Sequence, residues 1–360
     1  MPIAITDDHR ALADSVSQLL TRRDARAAAR ALLEAPTEQR PALWSDLVGL
    51  GLPGLHISEE YGGSGGGLED LVVAVEELGR AVAPGPLVPT AIASAVLAAS
   101  DNDAAKKTFL PGLADGSRTA AVALDGSLEV TEGKVSGAVA VALGGAVADV
   151  LLAPAGDDVV VIDLTAGGAD VSVPPNLDPT RRSARVTLSG AAATVLAGAR
   201  PTLRDLARLL LSAEAVGVAR GATEMAADYA KVREQFGRVI ATFQAVKHHC
   251  ANMAVATELS TALTWDAARA AQAERTQTGG DQRALTAAVA ATLAGEAAYL
   301  CANLNQQVHG GIGMMWEHDA HLYLRRATVL RALLDGDAAA VDAAELVRKG
   351  VRRERSVDLP

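Results

Sequence analysis

Long helical segments dominate the last part of this chain and constrain its fold more than any other feature. They are expected at roughly 203–231, 240–273, 281–308 and 317–347, where alanine, leucine and other strong helix formers recur with few breakers. Long helices joined by short connections pack side by side as a bundle. The sequence therefore predicts a C-terminal four-helix bundle over residues 201–360.

The first region, residues 1–115, also shows apolar residues at helical spacing, for example Val72 and Val75. A glycine-rich stretch, EEYGGSGGGLED at 59–70, interrupts it, since consecutive glycines do not sustain a regular element. We predict an N-terminal helical domain that is divided by this loop.

Residues 116–200 differ from both neighbours. Short β-branched runs alternate with Gly, Asp and Pro, which predicts a small antiparallel β domain. The strands are expected at 120–124, 149–155, 158–164 and 184–188. The predicted fold class is thus α+β, with an N-terminal helical domain, a middle β domain and a C-terminal bundle.

Charge and composition exclude several functions for the 360-residue chain. Its formal net charge is -10 and it carries no long basic run, which argues against a nucleic-acid partner. The acidic, polar N-terminus does not resemble a signal peptide, and no apolar run reaches the ~18–20 residues of a membrane span. Two cysteines make no disulfide framework, so a cytoplasmic protein is expected. No metal site is expected, because the adjacent His248 and His249 do not share a helix face.

Three motifs, in this order and at these separations, carry a resemblance that covers nearly the whole chain. They are LGLPGLHISEEYGGSG at 50–65, REQFGRVIATFQAVKHHCANM at 233–253 and QQVHGGIGMMWEHDAHLYLRRA at 306–327. The chain resembles the acyl-CoA dehydrogenase family. There is no G-x-G-x-x-G after a strand and no Walker loop, so the usual nucleotide folds are not indicated.

The resemblance implies a reaction, a cofactor and an assembly. Members of the family oxidise an acyl-CoA at its α and β carbons: a carboxylate removes the α-proton while the β-hydride passes to FAD. They form dimers of dimers in which each FAD spans a subunit boundary. Acyl-CoA and FAD are therefore the expected ligands.

The second motif resembles the part of the family that contacts the FAD nucleotide. Arg233 offers a planar fork suited to phosphate oxygens, and Phe236 offers an aromatic face for adenine. Gln235 and Gln244 belong to the same expected set, and Gly237 is expected to end the helix and let the chain turn. The alternative is that Arg233 only solvates a helix end, that Phe236 is core and that Gln244 is an ordinary surface residue.

The third motif resembles the family's second FAD element. Gln307, Gly310 and Gly311 are expected at the pyrophosphate, because glycines let backbone N–H groups approach a phosphate closely and the next helix can present its positive end. The alternative is a glycine turn between two helices. His309 is tempting as an acid or base, but the resemblance places it away from the chemistry, so we expect it to pack the loop.

The family's seat for the flavin ring is missing from this sequence. A Thr-Glu-Pro-Gly-Ala-Gly-Ser-Asp-like loop usually follows the first β strand, but here DGSLEVTEGKVSG stands at 125–137. A Trp-x-Thr/Ser element should come next, but AVAVALGGAVAD at 138–149 offers no comparable polar side chain to contact the flavin. Few partners therefore remain for the polar edge of the flavin.

The family's catalytic glutamate is also missing from both positions where it occurs. One position corresponds to Ala207, and the Arg208 that follows could face the acyl pocket or another subunit. The other corresponds to the Asp335 region, where the carboxylate is one methylene short and shifted by one residue, so we expect Asp335 to start a helix rather than act as a base. Glu214 lies in an apolar stripe and is expected to pair with an Arg or another polar group.

The losses are uneven, because the ring seat and the base are degraded while the elements that reach into a neighbour's FAD are intact. The chain thus resembles the non-catalytic subunit of actinobacterial α2β2 steroid-type acyl-CoA dehydrogenases, which act with a catalytic partner subunit. Two alternatives stay open. One is a self-sufficient homo-oligomer that uses Asp335 or another carboxylate; the other is a non-enzymatic acyl-CoA-binding or scaffold protein.

Overall fold

A computed structural model describes residues 5–274 and 280–353. Helices come first and last along the chain, with the main run of strands between them, which confirms the predicted α+β order. The α-helices are α1 (Asp7–Arg22), α2 (Ala25–Ala31), α3 (Leu43–Gly49), α4 (Leu68–Arg80), α5 (Leu87–Ala99), α6 (Asp103–Ala114), α7 (Arg200–Val232), α8 (Gln244–Glu274), α9 (Gly280–His309), α10 (Ala320–Leu334) and α11 (Gly336–Arg348). The strands are β1 (Ala120–Val122), β2 (Ser127–Thr131), β3 (Lys134–Ala142), β4 (Val150–Ala155), β5 (Asp158–Asp163), β6 (Ala169–Ser172), β7 (Ala184–Leu196), β8 (Glu234–Gln235) and β9 (Arg238–Val239).

The N-terminal helices join the bundle through a close crossing of α4 and α7. A Cβ added at Gly79 would lie 2.2 Å from the Glu214 carbonyl oxygen, and one added at Gly217 would lie 2.0 Å from the Glu76 carbonyl oxygen. Each helix therefore needs a glycine where the other backbone approaches it. The crossing fixes the N-terminal domain against α7, the helix that carries Arg208 and ends just before Arg233.

The β domain contains one pairing that the sequence prediction missed. Strands β1 and β4 are parallel, whereas the other pairs are antiparallel, so the prediction of an antiparallel domain was wrong for this one pair. The chain leaves β1, forms the β2–β3 hairpin, and returns along β1 in the same direction, which a local alternation pattern does not reveal. Strand β7 is long enough to pair with β3 and β6 over one half and with β5 over the other.

Three described strands of the β domain were not predicted, namely β2, β3 and β6. Much of β2 and β6 is exposed, and β3 contains Gly137 at a positive φ of 131° beside a shift in register. A Cβ at Gly137 would lie 2.0 Å from the Ser127 carbonyl oxygen, so the glycine permits the close approach of β2. Glycine and polar side chains thus weakened the alternating apolar pattern by which these strands could have been predicted.

The last predicted helix, 317–347, is two helices. Asp335 stands between α10 and α11 with a φ of 42°, in the left-handed region that ends a helix. Helix α9 also departs from expectation, because the span Gly280–Met314 is long and apolar enough to cross a membrane by length and composition. Within the most apolar stretch of this span, 61% is buried in the folded chain, as in a core helix.

Candidate functional site

The second motif forms an arm that leaves the end of α7. The helix ends at Val232, and a β-hairpin follows in which Phe236 and Gly237 make the turn between β8 and β9. Both turn residues have positive φ, 53° and 74°, as in the two-residue turns that suit hairpin twist. The expectation that Gly237 ends the helix was wrong, because the helix stops five residues earlier and the glycine completes the hairpin turn.

Phe236 is the most exposed large apolar side chain in the described chain, at 92%. A bulky residue at positive φ is unusual, and the left-handed conformation costs such a residue about 1–2 kcal/mol. The Phe236 and Phe243 rings meet edge to face with centroids 6.1 Å apart, and Arg238 lies 4.2 Å over the Phe243 ring. An aromatic face is thus held outward at some conformational cost.

The other predicted residues of this motif are also exposed. The Arg233 carbonyl accepts a hydrogen bond from the Ile240 N–H at 2.8 Å, which closes the base of the hairpin and leaves the guanidinium at the surface. Gln235 donates to the neighbouring Glu234 carbonyl at 2.8 Å, and Gln244 is the first residue of α8. These side chains suit a ligand or partner that arrives from outside.

The third motif forms a short 3-10 turn, Gly310–Met314, directly after α9. Gln307, Gly310 and Gly311 are exposed, and a Cβ added at either glycine would meet no other described atom within 4 Å. The space beside the two backbones is therefore open to a ligand. The expected helix N-terminus after the glycines is not there, because α10 begins only at Ala320.

His309 contacts the end of α7, just before the second motif begins. Its Nδ1 lies 2.8 Å from the Asn305 carbonyl oxygen, and its ring stacks on Tyr229 with centroids 4.2 Å apart. Burial lowers the pKa of His309 below its ordinary value, so the buried ring favours its neutral form. These contacts are those of a packing residue, and they bring Arg233 and Gly310 to the same end of the bundle.

A separate cleft of about 1610 Å³ lies between the β domain and helices α7 and α10. Its walls include the start of β2, part of β3 and the segment 174–177 on one side. Arg204, Arg208 and Leu211 line it from α7, whereas Ala207 is buried in the core.

Arg208 is buried, at 8% exposure, and its Nη2 lies 2.7 Å from Oδ2 of Asp342. Its Nη1 finds no hydrogen-bond partner among the described residues. Asp342 also lies 3.6 Å from Arg204, so two guanidinium groups share one carboxylate. Buried donors are normally paired, which marks Arg208 as a group that a ligand could satisfy.

Asp335 also lines the cleft, but its carboxylate is engaged. Its Oδ1 accepts a hydrogen bond from the Ala338 N–H at 3.3 Å and caps the first turn of α11. This contact matches the expectation that Asp335 starts a helix. To act as a general base, the Asp335 carboxylate would have to give up its hydrogen bond from the Ala338 N–H.

Glu214 is fully buried between two arginines. It accepts from Arg181 at 3.0 Å and from Arg326 at 2.5 Å, and Arg326 also pairs with Asp178. Burial alone would raise the pKa of Glu214, but Arg181 and Arg326 lower it below the ordinary value. The sequence indicated a partner for Glu214, but not Arg326, because that residue lies far along the chain on another helix.

The region where a flavin ring would need polar partners is short and largely apolar. Four residues, 123–126, connect β1 to β2, and the Asp125 carboxylate accepts from the next N–H, that of Gly126. Val139 and Val141 of β3 line the adjoining wall. This short connection therefore offers few donors for a flavin ring.

The comparisons with known proteins agree with the architecture. Models of the acyl-CoA dehydrogenase N-terminal and C-terminal domains match residues 6–117 and 202–338. Acyl-CoA dehydrogenase FadE34 of Mycobacterium tuberculosis is 42% identical over 320 residues, which is 88% of this chain and 44% of FadE34. Acyl-CoA dehydrogenase IpdE2 of the same organism is 35% identical over 91% of this chain and 93% of its own length. The solved steroid ACAD Tcur3481-Tcur3483 superposes with a TM-score of 0.86 at 30% identity, covering 96% of this chain and 98% of that one.

This chain therefore belongs to the acyl-CoA dehydrogenase family, and its similarity extends to a steroid-type member. FAD is the cofactor of the family. The chain spans less than half the length of FadE34, so a shared fold does not by itself transfer the activity of that whole protein.

Proposed function

We propose that this chain is the non-catalytic subunit of an FAD-dependent acyl-CoA dehydrogenase and completes the FAD site of a catalytic partner subunit. The observation that carries the proposal is Phe236, a bulky ring exposed at 92% and kept at positive φ. Local strain of this kind persists where the surroundings or a ligand require it. An exposed ring on a projecting hairpin is suited to reach a nucleotide seated in another chain.

Two exposed surfaces at the same end of the bundle support this role. Arg233 would contact the pyrophosphate and Phe236 the adenine, while Gln307 and the backbone of Gly310 and Gly311 would lie along the phosphates. When bound, FAD supplies the hydride acceptor for acyl-CoA oxidation. This chain's residues would bind and orient the nucleotide, and the proton-accepting carboxylate would come from the partner.

The exposed apolar surface beside the glycine turn fits a subunit contact. Met314 is 74% exposed, and Met315 and Trp316 are 52% and 45% exposed. Apolar side chains grouped in this way on a surface commonly mark an interface.

The relatives are consistent with a second subunit. FadE34 is more than twice as long as its matched segment, so it has room for another unit of this size. The similar steroid ACAD is named for two components, Tcur3481-Tcur3483. We infer an α2β2 assembly, a steroid-derived acyl-CoA substrate and a cytoplasmic location for this chain.

The test uses a variant that separates binding from folding. Phe236→Asn creates an Asn-Gly turn, which favours this hairpin geometry, so the arm should keep or gain stability while it loses the aromatic face. In the complex with the catalytic partner we expect at least a tenfold weaker affinity for FAD and an unchanged thermal unfolding midpoint. Val171→Ala, which removes an exposed apolar group from β6, is the control and should change neither value.

Stoichiometry gives an independent measurement. We expect about one FAD per heterodimer, little FAD on the isolated chain and no acyl-CoA oxidation by it. Robust turnover by the isolated chain would refute the subunit proposal. Unchanged FAD affinity in Phe236→Asn and in Arg233→Ala would instead favour a scaffold or acyl-CoA-binding protein.

The self-sufficient alternative rests on one observation, that Asp335 lines the cleft. Asp335→Asn preserves a good helix N-cap, so it should leave stability unchanged. It should abolish turnover if Asp335 is the base and leave turnover of the complex unchanged if the partner supplies the base.

A further inference from the structure

The cleft of this chain is a binding site in its own right. Its volume of about 1610 Å³ exceeds what a small organic ligand needs. Much of its wall is apolar, including Leu124, Val141, Leu211, Val329 and Leu333. An apolar ligand body would displace water from these side chains, which is the usual source of affinity in such clefts.

Arg208 supplies a fixed cation in this wall. It is buried, and only Asp342 neutralises it closely, while its Nη1 has no partner in the described part of the chain. Asp342 is divided between Arg208 and Arg204. A guanidinium presents several donors in one plane and matches a carboxylate with two of them, so the present pairing leaves capacity for a second anionic oxygen.

The cleft is remote from the arm that the proposed function assigns to FAD. Arg208 lies on α7 and Arg233 directly follows the end of that helix, 25 residues further on, which corresponds to about 37 Å at a rise of ~1.5 Å per residue. A ligand of one site therefore does not contact the other within this chain. The inference that follows depends only on the cleft and holds whether or not the arm serves a partner's flavin.

We propose that the cleft binds an apolar molecule that carries a free carboxylate, with Arg208 as the residue that recognises the carboxylate. The apolar walls take the body of the ligand, and the carboxylate accepts hydrogen bonds from the Arg208 guanidinium in place of Asp342. Charge-assisted bonds of this kind are strong where water is excluded. Asp342 competes with the ligand, because both carboxylates draw on the same guanidinium and repel each other.

Because Asp342 competes with the ligand, removing its charge should strengthen ligand binding. A purely structural role of Asp342 would not predict an increase in affinity. Binding of decanoate to the full-length chain, alone and in its complex, is measured by calorimetry, with decan-1-ol as the neutral equivalent. Arg208→Met should weaken decanoate at least tenfold without changing decan-1-ol, and Arg208→Lys should fall between, since it keeps the charge and loses the fork. Asp342→Asn should tighten decanoate severalfold.

A matched control is Arg200→Met. Arg200 also lines the cleft, but it is exposed and donates to the Gly156 carbonyl at 2.9 Å, so its loss should change decanoate affinity little. Decanoyl-CoA, which lacks a free acyl-end carboxylate, tests whether the anion comes from the CoA instead.

Three outcomes would overturn the proposal. They are equal binding of decanoate and decan-1-ol, binding of decanoyl-CoA with no binding of decanoate, and unchanged or weaker decanoate binding in Asp342→Asn. If Arg208→Met unfolds, Asp342→Asn still decides, because Asp342 lies on the exposed side of the pair.

Discussion

The rings of Tyr229 and His309 stack with their centroids 4.2 Å apart. Tyr229 lies on the last turn of α7 and His309 is the last residue of α9. This ring pair joins the end of α7, which leads into the hairpin arm, to the end of α9, which leads into the glycine turn, and the two residues are about 80 positions apart in sequence. The contact adds to the packing of α7 on α9 at the end where the two elements proposed to hold the nucleotide begin.

Loss of the stack should weaken FAD binding without removing any proposed FAD contact. An aromatic pair contributes about 0.5–1.5 kcal/mol, so Tyr229→Ala should weaken FAD in the complex by about 2- to 12-fold. Tyr229→Phe keeps the stack and should bind like the wild type. Flavin fluorescence titration measures both, and an unchanged affinity in Tyr229→Ala would show that the arm and turn need no mutual support.

The histidines at the glycine turn should make the protein sensitive to acid. Burial lowers the pKa of His309 and of His318, and the His309 ring, 4.5 Å away, lowers that of His318 further. Both values lie below the ordinary 6.5 in the folded protein. As the pH falls below about 6.5, these two histidines therefore bind protons in the unfolded chain before they do in the folded protein. The stability that their neutral forms contribute to the folded protein is then lost.

We expect His318→Gln to lose less stability than the wild type between pH 7.5 and 5.5, measured as the midpoint of urea unfolding. His248→Gln, at an exposed position on α8, should behave like the wild type. Equal losses in all three proteins would contradict the expectation.

Glu76 should act in the opposite direction. Burial raises its pKa to about 7, although Arg220 lowers it in part, and Oε1 has no hydrogen-bond partner among the described residues. Because the folded pKa exceeds the ordinary 4.5, the stability that Glu76 contributes is present below pH ~4.5 and is lost as the pH rises through 7.

Glu76→Gln should therefore be more stable than the wild type at pH 8, and its advantage in the free energy of unfolding should be smaller at pH 5. Urea unfolding at each pH measures both. Glu77→Gln is the control. Its carboxylate pairs with Arg80 at 3.2 Å, so its replacement should not stabilise the protein at pH 8. A Glu76→Gln protein that is less stable than the wild type at pH 8 would refute the prediction.

The buried cluster around Arg326 should be costly to break. Arg326→Leu would leave Glu214 and Asp178 inside the protein without their shared cation, and loss of one partner from a buried pair typically costs about 3–5 kcal/mol. The free energy of unfolding from urea titration measures this. Arg325→Leu removes a partly exposed neighbour and should cost less than about 1 kcal/mol; similar costs for both variants would contradict the prediction.

The local patterns predicted the main course of the chain. Helical periodicity marked α7, α8 and α9 to within a few residues, and β-branched runs marked β4 and β5, because both signals depend on neighbours within a few positions. Helical periodicity alone missed the Phe236–Gly237 hairpin and the break at Asp335, which only the expectation that Asp335 starts a helix indicated. Both depend on positive φ at a residue other than glycine, which composition does not reveal.

Contacts between distant residues followed no local pattern. Arg326 and Asp178 are 148 positions apart, and the pairing of Arg208 with Asp342 joins α7 to α11. The sequence suggested that Glu214 needs a partner and that Arg208 could face a pocket, but it could not identify the residues that pair with them. Electrostatics at these sites depends on burial and distance, which the folded arrangement creates.

The sequence by itself determined the order of helical, β and helical regions and the motifs that place the chain in its family, because both are written in short runs of residues. Only the tertiary structure decided the parallel pairing of β1 with β4, the outward position of Phe236 and the unpaired donor of Arg208. The first and last of these arise where segments far apart in the chain meet, and the energy of such contacts depends on how closely the segments approach and how much water they exclude. The outward position of Phe236 follows from a local hairpin turn whose positive φ composition does not reveal.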